Sequence, residues 1–239
     1  MVGRKKAIIL CSGGLDSVVT AFYVKNRLNY EKLTILFFDY GQKSLKEERK
    51  YAQKCAKELG AEFKEVNLKW LGKVSSSLIN KKEKVKRIKR KELKDTSKES
   101  AKFYVPCRNL IFLTNALALA ESEYMKNKKD SDIFVGFKCE GKESYPDTTK
   151  SFVNEINKIA NISCLTKSKV KAPLIEKDKE DIIGLGKKLG VKFENTFSCY
   201  NPKKNKQCGY CLACKLRQEG FYWANEKDPT EYAEKQGLN

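Results

Sequence analysis

Short apolar runs alternate with longer amphipathic segments along the chain. The runs of strand length are residues 7–11, 33–39, 61–68, 132–137 and 170–174. The segments with the apolar spacing of a helix are residues 17–26, 45–59, 108–122, 145–161 and 178–190. Alternation of strands and helices is typical of a mostly parallel sheet that helices cover on both faces. The pattern therefore predicts an α/β fold with a doubly wound, mostly parallel sheet.

Two parts of the chain break this pattern. Residues 81–102 are nearly all charged, and their only apolar stripe is Val85, Ile88 and Leu93. This composition favours a flexible surface segment, with a mobile lid over an anionic substrate as the alternative. From Cys199 onward the apolar periodicity gives way to cysteines. We therefore predict an α/β domain over 1–195 and a metal-binding segment over 196–239 that packs on it.

The first predicted strand stops abruptly at a glycine loop. Within the stretch AIILCSGGLDSVVT, Ser12, Gly13, Gly14 and Leu15 separate the strand from a helix that begins near Asp16. Glycines let a ligand approach the backbone closely, and the free N–H groups and dipole of a helix N-terminus favour an anion. Ligands of doubly wound sheets lie beyond the carboxyl ends of the strands, where this loop falls. The loop predicts an anion site, and a plain strand-to-helix connection is the alternative.

The amino-acid composition excludes several classes of protein and of catalysis. The chain has 239 residues, of which 41% are hydrophobic, and its apolar runs are too short for a membrane span or a signal peptide, so we expect a cytoplasmic protein with a packed core. It contains no histidine, which excludes Ser-His-Asp catalysis and HExxH zinc chemistry. Catalysis must then use carboxylates, lysines, arginines, cysteines, backbone dipoles or a metal. The net charge of +19 indicates either an RNA or other anionic partner, or lysine-rich solvated surfaces.

Four of the nine cysteines lie close together near the C-terminus: Cys199, Cys208, Cys211 and Cys214. Two overlapping C-x-x-C steps and one earlier cysteine can converge on a single tetrahedral ion. Four thiolates leave no open coordination position, so the site would be structural. Zinc is the favoured ion, and an iron–sulfur cluster would use the same ligands.

An ordered set of motifs extends this interpretation to a known family. The motifs are SGGLDS (12–17), FFDYGQ (37–42), YVPCRN (104–109), YPD (145–147), APLIEKDKEDI (172–182), TFSCY (196–200), CGYCLACKLR (208–217) and DPTEY (228–232). Together they resemble the 7-cyano-7-deazaguanine synthase (QueC-type) family of PP-loop ATP pyrophosphatases, whose fold is adenine nucleotide alpha hydrolase-like. SGGLDS alone indicates only the superfamily. The resemblance runs from residue 7 to about residue 232.

The resemblance implies roles for specific residues. The ATP-binding residues would be Cys11, Ser12, Gly13, Gly14, Leu15, Asp16, Ser17, Val18, Asp39 and Gln42. Asp16 would also help to hold Mg²⁺. The catalytic, phosphate-binding or substrate-binding residues would be Asp16, Arg108, Asn109, Asp147 and Lys179. The four C-terminal cysteines would bind one structural zinc ion per chain, and the family forms homodimers.

The resemblance also implies a reaction. The family activates 7-carboxy-7-deazaguanine with ATP as an acyl-adenylate, forms the amide with ammonia, and dehydrates the amide to the nitrile after a second activation. This serves 7-deazaguanine biosynthesis of the queuosine and archaeosine type. Charge neutralisation and positioning suffice for such chemistry, so the missing histidine fits it. No glutaminase domain is apparent, which predicts free ammonia as the nitrogen source. We expect no membrane association and no stable nucleic-acid partner.

Two departures from the family pattern keep other functions open. Lys43 and Ser44 follow the DYGQ motif where the family usually has a basic pair that includes histidine. Thr148 and Thr149 stand where the family has Cys-Arg, which removes a partner for an acidic substrate. The alternatives are a related ligase that joins an acid to a different amine and a PP-loop tRNA-modifying enzyme. A non-enzymatic zinc-ribbon RNA binder is a further alternative, against which the intact loop with Asp16 argues.

Overall fold

A parallel sheet of five strands forms the centre of the fold. The computed structural model of the chain describes residues 5–81, 83–138 and 145–234. The strands are β1 (Lys6–Leu10), β2 (Lys32–Asp39), β3 (Glu62–Asn67), β4 (Ser131–Phe134) and β5 (Val170–Lys171). Their order is β3-β2-β1-β4-β5, and every neighbouring pair is parallel. The predicted α/β class is confirmed. The strand order reverses between β1 and β4, where ligands bind in sheets of this kind.

Helices cover both faces of this sheet. They are α1 (Leu15–Asn26), α2 (Leu45–Leu59), α3 (Lys69–Val74), α4 (Ser97–Ala101), α5 (Arg108–Asn127), α6 (Lys150–Ser163), α7 (Lys179–Lys188) and α8 (Leu212–Trp223). Successive strand residues point to opposite faces. Ile9 of β1 therefore packs in one core with α1, α2 and α7, while Ile8 packs in another with α5 and α6. Within the described ranges, no helix is both long and apolar enough to cross a membrane.

Several element boundaries differ from the sequence prediction, among them the end of α5, which runs to Asn127 rather than to residue 122. The fourth strand ends at Phe134, and Gly136, two residues on, lies so close to α1 that a Cβ there would lie 2.9 Å from the Ser17 nitrogen. The fifth strand has two residues, since Pro173 lacks an N–H and the chain turns after Lys171. The helix predicted from residue 145 begins at Lys150, after a 3-10 turn over Pro146–Thr148.

The described part of the charged segment 81–102 lies against the C-terminal segment. Val85 and Ile88 are buried, and the Ile88 N–H donates to the Tyr210 carbonyl at 3.0 Å. The Arg87 guanidinium lies 4.4 Å from the centre of the Tyr210 ring. The flexible surface segment that the sequence predicts, and the lid that is its alternative, both stay untested.

A buried arginine joins the C-terminal segment to the rest of the protein. Arg217 of α8 is 1% exposed, and its Nη1 donates to Thr196 Oγ1 at 2.6 Å. Its Nη2 donates to the Phe193 carbonyl at 3.0 Å, and its Nε donates to both Asp228 carboxylate oxygens at 3.2 Å. Tyr232 also donates to Asp228, at 2.5 Å. A buried charge is stable only with such a full set of partners, so this network fixes the loop that leads into the cysteines.

Candidate functional site

A cavity of about 320 Å³ lies at the carboxyl ends of the central strands. Leu10 closes β1, Phe38 lies near the end of β2 and Val135 follows β4, and all three line the cavity. The first residues of α5 and α7, Arg108 and Lys179, line it as well. The cavity therefore lies beyond the carboxyl ends of the strands, where the sequence predicts the ligand, and at the position where the strand order reverses.

The glycine loop after β1 forms one wall of this cavity. Gly13 has a φ of +75°, and a Cβ there would lie 2.7 Å from both the Ala52 nitrogen and Tyr51 Cβ of α2, so a side chain does not fit. Gly14 is the N-cap of α1 and supplies no side-chain acceptor to the first turn. Ser17 Oγ donates to the Gly14 carbonyl at 3.0 Å, which holds the loop against the helix. Free helix N–H groups beside a tight loop suit an anion.

A carboxylate and an ammonium face each other beside the loop. Lys179 Nζ donates to both carboxylate oxygens of Asp16, at 2.7 and 2.6 Å. Asp16 lies in the first turn of α1, and Lys179 is the first residue of α7. A Cβ on Gly220 would lie 2.2 Å from Lys179 Cγ, so α8 leaves room for the lysine only because this residue is glycine. The pair places one positive and one negative group at the mouth of the loop.

A second positive group lies at the start of α5. Arg108 lines the cavity, and its Nε donates to Asn109 Oδ1 at 3.2 Å. Asn109 is fixed in turn by Asp147, whose Oδ2 accepts the Asn109 N–H at 3.2 Å and whose carbonyl accepts the Asn109 amide at 3.3 Å. Burial lowers the pKa of Arg108, but the nearby Tyr40, Tyr200, Asp147 and Tyr145 outweigh that effect and raise it. Arg108 therefore stays cationic inside the cavity.

The structure brings together most of the residues that sequence analysis selects for the nucleotide and substrate. The selected residues that line the cavity are Cys11, Ser12, Gly14, Leu15, Asp16, Ser17, Arg108, Asn109 and Lys179. The others lie behind the wall: Gly13, Val18, Asp39, Gln42 and Asp147 are not among the described lining residues. Val18 packs in the core, Gly13 packs against α2, and Asp147 anchors Asn109.

Asp39 and Gln42 build the turn that follows β2. Asp39 Oδ1 accepts the Gly41 N–H at 3.2 Å. Gln42 Oε1 accepts the Tyr40 N–H at 3.0 Å, and its Nε2 donates to the Phe38 carbonyl at 3.0 Å. These bonds hold Tyr40 in the cavity wall. Direct contact of either side chain with the nucleotide stays a prediction.

Sequence analysis missed one carboxylate of the cavity wall, Glu48 of α2. Ser44 Oγ donates to its Oε1 at 2.5 Å, and Gln42 Nε2 donates to its Oε2 at 3.0 Å. Burial raises the pKa of Glu48 more than these hydrogen bonds and Arg108 lower it. The available signal was the position of Glu48, an acidic residue one turn into the helix that follows the second strand.

The two residues that depart from the family pattern make local contacts. Thr148 Oγ1 donates to the Tyr145 carbonyl at 2.9 Å. Thr149 is the N-cap of α6, and its Oγ1 accepts the Phe152 N–H at 3.1 Å. Neither threonine is among the described residues that line the cavity. Arg108, by contrast, lines the cavity.

We expect Thr149→Ala to lower the free energy of unfolding by about 1 kcal/mol, because it removes the N-cap hydrogen bond of α6. Catalytic rates should stay within about twofold of wild type, since the side chain lies outside the cavity wall. Urea unfolding and steady-state assays measure both effects. Thr149→Ser keeps the acceptor and is the matched control. A large loss of activity at unchanged stability would contradict this assignment.

The four predicted metal ligands converge at one point. The sulfur atoms of Cys199, Cys208, Cys211 and Cys214 all lie within 4.8 Å of one another, and the four residues are buried. Tetrahedral Zn–S bonds of about 2.3 Å require sulfur atoms about 3.8 Å apart. The observed Cys199–Cys211 and Cys208–Cys214 sulfur separations are 4.0 and 3.9 Å.

Backbone N–H groups support the same conclusion about the cysteines. Cys199 Sγ accepts the N–H groups of Cys208 and Asn201 at 3.2 and 3.3 Å, and Cys208 Sγ accepts the N–H of Cys211 at 3.3 Å. Such bonds stabilise thiolates, the form that binds a metal. The buried cluster can therefore hold a metal ion such as zinc.

Comparison with known proteins gives the family. The family model described as "Queuosine biosynthesis protein QueC" matches residues 6–225. The chain is 40% identical over 242 residues to a 7-cyano-7-deazaguanine synthase of Methanocaldococcus jannaschii, with 96% of this chain and 100% of that protein covered. It is 34% identical over 234 residues to a protein of the same name from Methanobrevibacter smithii, with coverages of 96% and 99%. The fold is also similar to that in a crystal structure of a 4-thiouridine synthetase–RNA complex with bound ATP, at a TM-score of 0.49 and 16% sequence identity. This similarity covers 92% of this chain and 50% of that one. Because the family match and the curated relatives extend over nearly all of its length, the chain belongs to the QueC family.

Proposed function

We propose that the protein is a 7-cyano-7-deazaguanine synthase, which converts 7-carboxy-7-deazaguanine and ammonia to the nitrile at the expense of ATP. The observation that carries the proposal is one cavity that holds an anion-binding loop, the Asp16–Lys179 pair and Arg108. The name of the relatives at 34% and 40% identity supports it. The ordered motifs that this chain shares with the family, which span its length, support it as well.

The residues of the cavity suit acid activation. A carboxylate is a poor electrophile, and its attack on the α-phosphate of ATP converts it to an acyl-adenylate with AMP as the leaving group. The departing pyrophosphate would lie against the loop of Ser12 and Gly14 and the N-terminus of α1. Lys179 would neutralise phosphate charge, and Arg108 would bind the anionic acid. Asp16 offers the carboxylate oxygens that Mg²⁺ prefers, and this ion would neutralise charge on the nucleotide phosphates.

We further propose that the cysteine cluster holds one structural zinc ion per chain. Cys199 lies in the same segment as Phe197, Ser198 and Tyr200, and this segment lines the cavity. Leu212, between two of the other ligands, lines it as well. A metal that ties these residues together would shape one wall of the substrate site without taking part in the chemistry.

The nitrogen source, assembly and cellular location are also proposed. Free ammonia is the nitrogen donor in this proposal, and the family resemblance supports a homodimer without a stable nucleic-acid partner. Use of ATP and a cluster of reduced thiols is consistent with work in the cytoplasm, where thiols stay reduced. The resemblance supports the nitrogen donor and the assembly, and the thiols support the location.

The test of the proposed function is the AMP released per molecule of acid consumed. With 7-carboxy-7-deazaguanine, ATP, Mg²⁺ and ammonium, we expect AMP and pyrophosphate in equal amounts and two AMP per nitrile, because each oxygen of the acid leaves through one activation. No AMP should appear without the acid. If AMP forms but neither amide nor nitrile follows with ample ammonium, the protein joins the acid to a different amine. If the acid elicits no AMP at all, the substrate assignment is wrong.

A further inference from the structure

Two carboxylates line the cavity among the residues that the structure describes, Asp16 and Glu48. They differ in their partners. Both oxygens of Asp16 bind the Lys179 ammonium. The direct hydrogen bonds of Glu48 come instead from neutral groups, the Ser44 hydroxyl and the Gln42 amide. Each carboxylate oxygen can accept more than one hydrogen bond, so Glu48 keeps the capacity to take up a proton.

The surroundings of Glu48 favour proton uptake at a fixed position. Ser44 binds one carboxylate oxygen and Gln42 the other, which sets the orientation of the group. Burial is the main cause that raises its pKa, and the hydrogen bonds and Arg108 counteract it. Burial also raises the pKa of Tyr40, and Glu48 adds to that effect, so the phenol stays protonated. A carboxylate with a raised pKa is a better base at neutral pH than an exposed one.

The proposed reaction needs a base at two points, and the chain has no histidine to supply one. Ammonium is the main form of the nitrogen donor at neutral pH, and it must lose a proton before it attacks the acyl-adenylate. The adenylated amide must lose its nitrogen protons before it becomes a nitrile. Among the carboxylates that line the described cavity, Glu48 is the one that no lysine neutralises directly.

We propose that Glu48 is the general base of the nitrogen-dependent steps, an inference that rests on the proposed function. In the first step Glu48 takes a proton from ammonium. The nitrogen lone pair then forms the C–N bond, the C–O bond to AMP breaks, and AMP leaves with that electron pair. The surplus proton on the new nitrogen is strongly acidic and passes to water, and the protonated Glu48 returns its own proton to solvent.

The nitrile forms from the amide after a second activation by ATP. The amide oxygen attacks the α-phosphate of a second ATP, and pyrophosphate leaves. The two protons on nitrogen then pass in turn to Glu48, which releases each of them to solvent. One N–H electron pair becomes the lone pair on nitrogen, the other completes the triple bond, and the C–O bond to AMP breaks. No oxidant or reductant is needed. Acid activation itself requires no proton transfer, so it should not depend on Glu48.

The test compares Glu48→Gln with wild type in two nucleophile assays. With ammonium we expect amide and nitrile formation to fall about 100-fold, the lower end of what a general base contributes. With hydroxylamine, which is largely unprotonated at neutral pH, hydroxamate formation from the same acid should stay within about threefold of wild type. Acid-dependent exchange of pyrophosphate into ATP should also stay within threefold. Glu47→Gln, on the same helix but outside the cavity wall, is the matched control and should behave as wild type in all three assays.

The pH profile gives an independent readout. Glu48 must be ionised to act, so wild-type kcat/KM for ammonium should fall as the pH drops through a pKa above that of an ordinary glutamate. The groups that face Glu48 are Arg108 of α5, Tyr40 after β2 and Glu47 of its own helix. The acidic limb assigned to Glu48 should disappear in Glu48→Gln and remain in Glu47→Gln.

Each outcome separates this inference from the proposed function. If wild type makes the nitrile and Glu48→Gln makes it at the same rate, Glu48 is not the base. If Glu48→Gln folds but loses pyrophosphate exchange and ammonium-dependent turnover together, Glu48 serves activation and the inference is wrong. If wild type itself shows no acid-dependent exchange, the proposed function is wrong, and the role of Glu48 in it is wrong as well. Thermal unfolding of Glu48→Gln at the wild-type temperature shows that the variant is folded.

Discussion

Replacing Asp16 with Asn should lower ATP-dependent acid activation at least about 100-fold and leave the fold intact, since removal of one charged group from such a site has effects of this order. The Asp16 carboxylate binds Lys179 with both oxygens beside the glycine loop, where we propose that the phosphates bind. The amide of Asn keeps the shape but loses the charge that would hold Mg²⁺ and orient the lysine. Pyrophosphate exchange with the acid measures the loss, and circular dichroism checks the fold.

Lys179→Ala tests the other half of the same pair. We expect a similar loss of exchange, with the larger part in kcat, because the ammonium would act on charge that moves to the departing pyrophosphate. Lys188→Ala removes an exposed lysine from the last turn of the same helix and is the control. Wild-type exchange in both Asp16→Asn and Lys179→Ala would remove the phosphate-binding role from this pair.

Replacing Cys211 with Ser should release the metal and lower the melting temperature by roughly 10 °C, which corresponds to about 3 kcal/mol for a chain of this size. The site is buried and shares a core with the helices α5 and α6, so its loss would loosen the cavity wall as well. Metal analysis of the purified protein and thermal unfolding measure the two effects.

The control for this substitution is Cys164→Ser, which changes a half-buried cysteine outside the cluster and should leave metal content and melting temperature nearly unchanged. Wild-type protein should contain one zinc per chain. Metal-free wild type of normal stability, or the visible absorbance of an iron–sulfur cluster, would contradict the zinc assignment.

Strong local signals made most of the fold predictable. The alternation of apolar strands and amphipathic helices gave the five strands and the parallel class, because buried strands between helices leave few other arrangements. Two boundaries failed for different reasons. Beyond the fourth strand, Gly136 lies against α1, a tertiary contact that no single stretch of sequence shows. The start of α6 at the Thr149 cap, rather than at residue 145, is a local signal that the analysis passed over.

The sequence predicted those parts of the site that belong to a motif with a characteristic chemistry. The glycine loop and the four cysteines have spacings that few structures other than a ligand site require. Glu48 escaped notice because its sequence signal, an acidic residue early in the helix after the second strand, is shared by its neighbour Glu47, which does not line the cavity. Asp39 and Gln42 are the reverse case. The sequence analysis selected them for the nucleotide, and in the structure their side chains hydrogen-bond within the turn that follows β2.

The mass of the product formed from 7-carboxy-7-deazaguanine, ATP, Mg²⁺ and ¹⁵N-labelled ammonium tests the central claim most directly. The account predicts an amide and then 7-cyano-7-deazaguanine, each carrying one ¹⁵N atom, with no product when ATP is omitted. An unchanged acid in the presence of ATP and ammonium, from a folded and metal-loaded protein, would contradict it.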